Sequence, residues 1–333
     1  MDVNLNKWHR IEVDRNLLKE LSKKSDIKGI QHVFVFFTLL LVTGLLAYYT
    51  WGSLWSLFWF LVYGNIYCFS NALWHETGHK TAFQSKFLNE FFYYISCFMA
   101  YFEPTRWRFT HFIHHGHTYS TNDPYDHEIE YGNDYKNTTR RFLINLIPFG
   151  ELVYFKNHIS FEIFKHSLGI KTKVMLDSIP EKIIPKCILI SRIFVLLWIV
   201  IIMSSIFLSS WLPILYFLLP NFYGKTLHKI VSFTQHAGLA RDLKDHRLTS
   251  REMHLNSVLS FLYWKMEYHM THHMFPTIPS YNLDKLHQHI KDQIPKTNNG
   301  LLDAYKEIIP ALIKQKEDPN HSIKIEIPQT QNI

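Results

Sequence analysis

Charged side chains vanish from two long stretches of this 333-residue chain. Between Lys28 and Glu76, 47 consecutive residues carry no Asp, Glu, Lys or Arg, and between Arg192 and Lys225 another 32 carry none. At about 1.5 Å per helical residue the first stretch makes roughly 70 Å of helix, enough to cross a hydrocarbon layer of about 30 Å twice. The pattern predicts spans at 32–51 and 53–73. The second stretch, roughly 48 Å by the same arithmetic, is too long for one crossing. It fits spans at 186–208 and 211–229 if Lys225 and Lys229 reach the interface along their aliphatic stems.

Elsewhere the apolar runs are short. Residues 87–102 offer only 12 uncharged positions between Glu90 and Glu103, which suits an interfacial or re-entrant helix, and 141–165 reads similarly. From 230 to 315 the chain is polar with a helical period, and the strand signal is weak throughout. The expected fold is therefore all-α, an integral membrane four-span helical bundle with a cytoplasmic helical cap. It divides into a basic cytoplasmic N-terminal segment (1–31), one membrane domain (32–315) and a flexible C-terminal tail (316–333).

Charge sets the orientation. Lys and Arg number 35 against 28 Asp and Glu, a net of +7, and none of the 35 lies in the connections Thr50–Ser53 and Ser209–Trp211. By the positive-inside bias these hairpins face outward, and both termini and the polar mass face the cytoplasm. The mean hydropathy of −0.08 conceals all of this by averaging. The opening MDVNLNKWHR lacks a secretory-signal pattern, so the first span is expected to stay in the protein. Cys68, Cys97 and Cys187 stand far apart, which excludes a disulfide framework, a zinc knuckle or an iron–sulfur motif. The composition also excludes a disordered chain, and no nucleic-acid partner is expected.

The candidate chemistry lies in the histidines. Three clusters and a singlet matter: His75 and His79 in HETGH; His111, His114 and His115 in HFIHH; His236 in TQHAG; and His269, His272 and His273 in HMTHH. On a helix, positions i, i+3 and i+4 share a face, so each cluster aims its imidazoles at one point. His75, His79 and His236 fall just past the cytoplasmic ends of predicted spans, which lets all nine meet in one layer at the membrane surface. Nine imidazoles suggest four or five for each of two ions, and imidazole without thiolate suits zinc, iron, copper or nickel. His117, His127, His254, His287 and His289 show no such pattern. HETGH is also the HExxH signature of a zinc metalloprotease, with Glu76 as general base, but that reading leaves the HxxHH clusters and His236 without a role. A histidine-lined metal transporter predicts ligands at mid-membrane depth, whereas these clusters sit at span ends.

These three boxes, in this order and with a pair of spans between the second and third, resemble those of the membrane-bound fatty acid desaturase and hydroxylase superfamily. Within it the stretches TQHAGLARDLKDHRL, FLYWKMEYHMTHHMFPTIPSYNLDKLH and AYKEIIPALIKQ are similar to the bacterial branch that includes rhizopine-catabolism hydrocarbon oxygenases. The similarity runs from about residue 60 to 315. It implies a non-haem di-iron centre with the nine histidines as iron ligands, O2 as co-substrate and a fatty acyl or other lipophilic substrate. It also implies desaturation or hydroxylation at an unactivated C–H bond, or decarboxylation to a terminal alkene. His117 and Ser232 depart from residues that relatives carry at those places.

Asp123, Asp126 and Glu128, after the second box, and Glu267, before the third, are candidates for holding imidazole N–H groups. Arg106, Trp107 and Trp264 are candidates for lining the substrate's way in, the tryptophans also for anchoring at the interface. With no haem, iron–sulfur or GxGxxG motif in the chain, electrons are expected from an external ferredoxin, of Rieske or plant type, or a cytochrome with its reductase. The expected location is the bacterial inner membrane.

Overall fold

The computed structural model describes residues 8–129 and 135–328. The first seven residues of the expected N-terminal segment and the last five of the expected tail thus lie outside the described residues. The fold is helical; one isolated bridge, Met253 to Asn298, is the only β pairing among the described residues.

After α1 (Arg15–Leu21), the Ser25 side chain caps the first long helix, α2 (Asp26–Tyr49), by accepting from the Lys28 N–H. A hairpin returns the chain through α3 (Leu54–Cys68) into α4 (Ser70–Gly78), and α5 (Lys86–Ala100) packs back on α4. Tyr101, at φ 59°, ends α5 in the left-handed region and turns the chain into α6 (Pro104–Gly116). The Glu103 carboxylate caps α6 by accepting from Thr105 N at 3.1 Å and Arg106 N at 2.5 Å. Next come α7 (Tyr135–Asn145), a 3₁₀ segment (Gly150–Asn157), α8 (Ile159–Ser167) and α9 (Lys173–Ser178). The second long helix, α10 (Ile184–Phe207), packs along α8. Short pieces follow: α11 (Leu212–Phe217), α12 (Pro220–Tyr223), α13 (Thr226–Phe233), α14 (His246–Thr249), α15 (Ser257–Leu262) and α16 (His269–Met274). Two amphipathic helices, α17 (Ser280–Ile290) and α18 (Leu301–Lys314), close the polar half.

Among the described residues, two helical segments are long and apolar enough to cross a membrane, α2 and Glu181–Phe207, and under a third of the most apolar stretch of each is buried. Their apolar side chains face outward, with Phe207 88% exposed. A belt of this kind is stable in lipid and not in water. The α2 helix begins at Asp26, six residues before the expected start of the first span.

The expected spans at 53–73 and 211–229 are not continuous helices. The first breaks at Phe69, where the Asn71 amide donates back to the freed Cys68 carbonyl at 2.9 Å. The second breaks before Pro220, which has no N–H to continue the ladder, and again at Gly224. An uncharged run reports total apolar length; it does not report where side chains recapture the backbone.

Gly64 and Gly224 fasten these broken segments together. A Cβ on Gly224 would stand 2.0 Å from the Gly64 carbonyl carbon and 2.3 Å from its Cα, and one on Gly64 would stand 2.3 Å from the Tyr223 ring. Small residues at a crossing let backbones approach this closely. Gly224→Val is expected to cost more than the ordinary overpacking penalty of about 1–3 kcal/mol, because the clash is with backbone that cannot change rotamer. Thermal melts of detergent-purified protein should show a lowered midpoint, whereas Gly116→Ala, whose Cβ meets nothing within 4 Å, should leave it in place.

One continuous core runs from the long helices into the polar half. Phe36 and Leu40 of α2, Tyr63 and Tyr67 of α3, and Leu73 of α4 belong to the same buried cluster as Trp264, Leu283 and Ile308. Trp264 is 1% exposed and stacks on His32 at 3.7 Å between ring centroids, so it is neither an interfacial anchor nor part of a substrate entrance. Beyond α18 the chain turns back, and the Ile323 N–H donates to the Gly238 carbonyl at 2.8 Å, which ties this part of the expected tail beside the TQHAG turn.

Candidate metal centre

Four structural pieces converge where the long helices meet the polar half. His75 lies in the last turn of α4 and His79 at its C-terminal cap. The middle of α6 and its end carry His111, His114 and His115, and α16 carries His269, His272 and His273. His236 stands on the turn after α13, a turn braced by Arg251, which donates to the Thr234 carbonyl at 2.5 Å and the Ala237 carbonyl at 3.1 Å.

All nine imidazoles come together, and they divide five and four. His75, His79, His111, His115 and His272 present nitrogens within 4.8 Å of one another; His114, His236, His269 and His273 do the same. In the first group the Nε2–Nε2 separations are 2.7 Å for His79–His111 and 3.2 Å for His111–His115, His79–His272 and His115–His272. In the second they are 2.9 Å for His236–His269 and 3.0 Å for His269–His273.

The outer contacts decide what these nitrogens offer. The Nδ1 of His111 lies 2.7 Å from Glu128, that of His114 2.8 Å from Asp126, and that of His236 2.7 Å from the Thr249 carbonyl. A carboxylate or a carbonyl can only accept, so Nδ1 carries the proton and Nε2 turns an acceptor lone pair inward. The Nδ1 of His273 is 3.1 Å from the Thr118 hydroxyl, and that of His269 is 3.0 Å from the Gln235 amide. Burial, with the neighbouring imidazoles, holds His75, His79, His115, His269, His272 and His273 far below the usual histidine range, and His236 down at about 3. Burial opposes charge on His114 too, but the Asp126 carboxylate outweighs it and raises that imidazole. Burial alone would likewise raise Asp126; His114 and the N–H groups of Tyr119 and Glu128 bring it down to about 2.

Imidazoles that turn Nε2 lone pairs toward one another fit a bound cation. His75 makes the same point, since it is buried with neither ring nitrogen bonded to any described residue. The histidine groups could therefore hold metal ions, and an all-nitrogen set without thiolate matches borderline transition metals such as iron or zinc.

Two of the four expected carboxylates serve the imidazoles and two do not. Asp123 is exposed in the turn after the second box, and the buried Glu267 is taken up by the Ser260 hydroxyl. Among the described residues neither bonds an imidazole. Sequence reading missed Glu252, which accepts from Thr271 N at 2.8 Å, from the Thr271 hydroxyl and from His287 Nδ1 at 2.7 Å. It thereby caps the N-terminus of α16 from 19 residues away. It also missed Gln235, Thr249 and Thr118; for Gln235, adjacency to His236 was the one available signal. Glu76 faces away from the nitrogens: its Oε1 accepts from Ser280 N at 3.0 Å, and burial pushes its carboxyl up to about 7.

A cavity of about 430 Å³ opens beside the imidazoles of His75, His111 and His269. Trp74, Phe102 and Trp107 form its apolar wall, and the ion pairs Arg106–Glu162 (3.1 Å) and Lys225–Glu151 (2.8 Å) line its polar side. Arg106 and Trp107 thus line a pocket next to the histidines.

Among curated proteins none matches the chain. The family model described as Fatty acid desaturase matches residues 49–303. Members of that family are membrane-bound oxidoreductases that act on fatty acids, draw on an external electron donor and generally use two irons. The matched region is 303 − 49 + 1 = 255 of 333 residues and includes all nine converging histidines, so the chain belongs to the fatty acid desaturase family.

Proposed function

We propose that this chain is a membrane-bound non-haem di-iron oxygenase that desaturates, or alternatively hydroxylates, an unactivated C–H site of a fatty acyl or other lipophilic substrate. The observation that carries the reading is the five-plus-four division of nine converging imidazoles, most of them buried, beside an aromatic-walled cavity. His75, His79, His111, His115 and His272 would hold one iron, and His114, His236, His269 and His273 the other. A pair of reduced irons held there supplies the reductive activation of O2 that lets hydrogen be taken from an unreactive carbon, which no side chain can do.

The rest is the work of the chain. Asp126, Glu128 and the Thr249 carbonyl keep protons on Nδ1, so that His114, His111 and His236 present Nε2 to the metal in fixed orientation. Trp74, Trp107 and Phe102 exclude water and hold the alkyl chain against the histidines, and the ion-paired polar wall suits a substrate's polar end. Each turnover consumes O2, two electrons and two protons; desaturation yields an alkene and two waters, hydroxylation an alcohol and one.

The topology follows the charge pattern. The α2–α3 hairpin and α10 with α11–α13 make two pairs of crossings, with both termini and the metal site on the cytoplasmic side of a bacterial inner membrane. The quoted sequence stretches favour the bacterial branch with rhizopine-catabolism oxygenases, and a ferredoxin or cytochrome with its reductase as donor.

Elemental analysis of detergent-purified protein tests the centre. About two irons per chain are expected, followed by conversion of labelled acyl substrates when O2 and a reductase system are supplied. One zinc per chain and no iron would overturn the reading.

A further inference from the structure

The proposed centre needs electrons from outside the chain, and the structure contains a packed route for them. Trp8 is half-buried at the surface, and its indole lies flat on His246, with ring centroids 4.0 Å apart and planes at 13°. The indole Nε1–H donates to the Gly116 carbonyl at 3.0 Å, at the end of the helix that carries His115. His246 is buried, and its ring centroid stands 5.1 Å from that of His273. It belongs to neither histidine group, and its Nδ1 bonds to no described residue. His9 N donates to the Lys244 carbonyl at 2.8 Å and pins the segment in place. One surface aromatic, one buried ring and one member of the four-nitrogen group therefore stand in line.

We propose that Trp8 and His246 form the electron input of the enzyme, bridging a docked one-electron carrier protein to metal held by His273. The inference rests on the di-iron reading above. Electron tunnelling weakens steeply across empty gaps; the Trp8–His246 stack leaves none, and the His246 and His273 rings lie 5.1 Å apart between centroids, tilted by 45°, while the Trp8–Gly116 hydrogen bond adds a second connection, toward His115. Each event oxidises a reduced [2Fe–2S] carrier by one electron and reduces the metal pair by one, and two events supply one O2. No proton has to cross the bridge. The net charge of +7 favours an acidic carrier of the ferredoxin class.

The test is stopped-flow reduction of the iron-loaded protein by reduced plant-type [2Fe–2S] ferredoxin, beside reduction by dithionite, for wild type, Trp8→Leu and Trp8→Phe. Trp8→Leu is expected to slow the ferredoxin reaction at least tenfold while iron content and the dithionite rate stay as in wild type. Trp8→Phe, which keeps a ring on His246, is expected to retain most of the rate. A Trp8→Leu rate within twofold of wild type overturns the proposal, as does an equal fall with both reductants, which would signal damage to the site. Iron-loaded wild type that ferredoxin does not reduce overturns the acidic carrier. Wild type without iron overturns the di-iron reading itself.

Discussion

His236→Ala should lower bound iron from two per chain to one and abolish turnover, while His115→Ala should keep most of the iron. The asymmetry follows from the division of the nitrogens. Removing His236 leaves three imidazoles, His114, His269 and His273, in a group that had four; removing His115 leaves four in a group that had five. Three imidazoles bind a divalent ion more weakly and leave positions open to water. His236 is also the one member fixed through a backbone carbonyl, Thr249, on a turn without helical neighbours to take its place. Losing an outer partner of a ligand costs roughly 10–100-fold in affinity or activity, and losing a ligand from the smaller group should exceed that. Elemental analysis and turnover of the two variants, purified side by side, check the claim. Equal iron loss in both would show that the groups do not act as separate sites.

Glu252→Ala should be among the most damaging substitutions that touch no nitrogen of either group. Its carboxylate is buried and takes three donors: the Thr271 N–H, the Thr271 hydroxyl and the His287 ring. The first is an orphan donor in the opening turn of α16, the six-residue helix that carries three imidazoles. A helix that short gains little from its own ladder and depends on what holds its ends. Breaking a buried pair of this kind costs about 3–5 kcal/mol. In a chain of this size that is a fall of roughly 10 °C in the melting midpoint. Iron should be lost with it as α16 loosens. Glu252→Gln keeps an acceptor for Thr271 and should fall between the alanine variant and wild type. Melting curves and iron content of the three proteins read out both effects.

How much of this was legible in the sequence depends on how far apart the partners lie. HFIHH and HMTHH sit on helices, as their i, i+3, i+4 spacing implies, and HETGH ends one. Asp126 and Glu128 were readable because they follow the second box within 15 residues. Glu252 was not, because its partners Thr271 and His287 lie 19 and 35 residues downstream and nothing in a period connects them. Asp123 and Glu267 have the right neighbourhood in sequence, but one turns to solvent and the other to Ser260. The apolar runs revealed α2 and α10, whose outward faces need lipid. They hid the breaks at Phe69, Pro220 and Gly224, which local hydrogen bonds and a glycine crossing decide. Its place before the third box flagged Trp264 without separating a buried ring from an interfacial one.

The crossing of Gly64 and Gly224 carries a further consequence. It clamps two stems, one leading through α4 to His75 and the other through α13 to His236. The ladder is broken at Phe69 between the clamp and the first box, so the crossing fixes where α4 starts, and the direction of His75 is counted from that break. Chain length between that break and His75 is therefore an angular setting. One inserted residue would swing the first box by about 100° with every pairwise preference in the sequence left intact. In this fold α4 acts as a protractor for the metal site, and its tolerance to insertion is set by helical phase rather than by hydrophobicity.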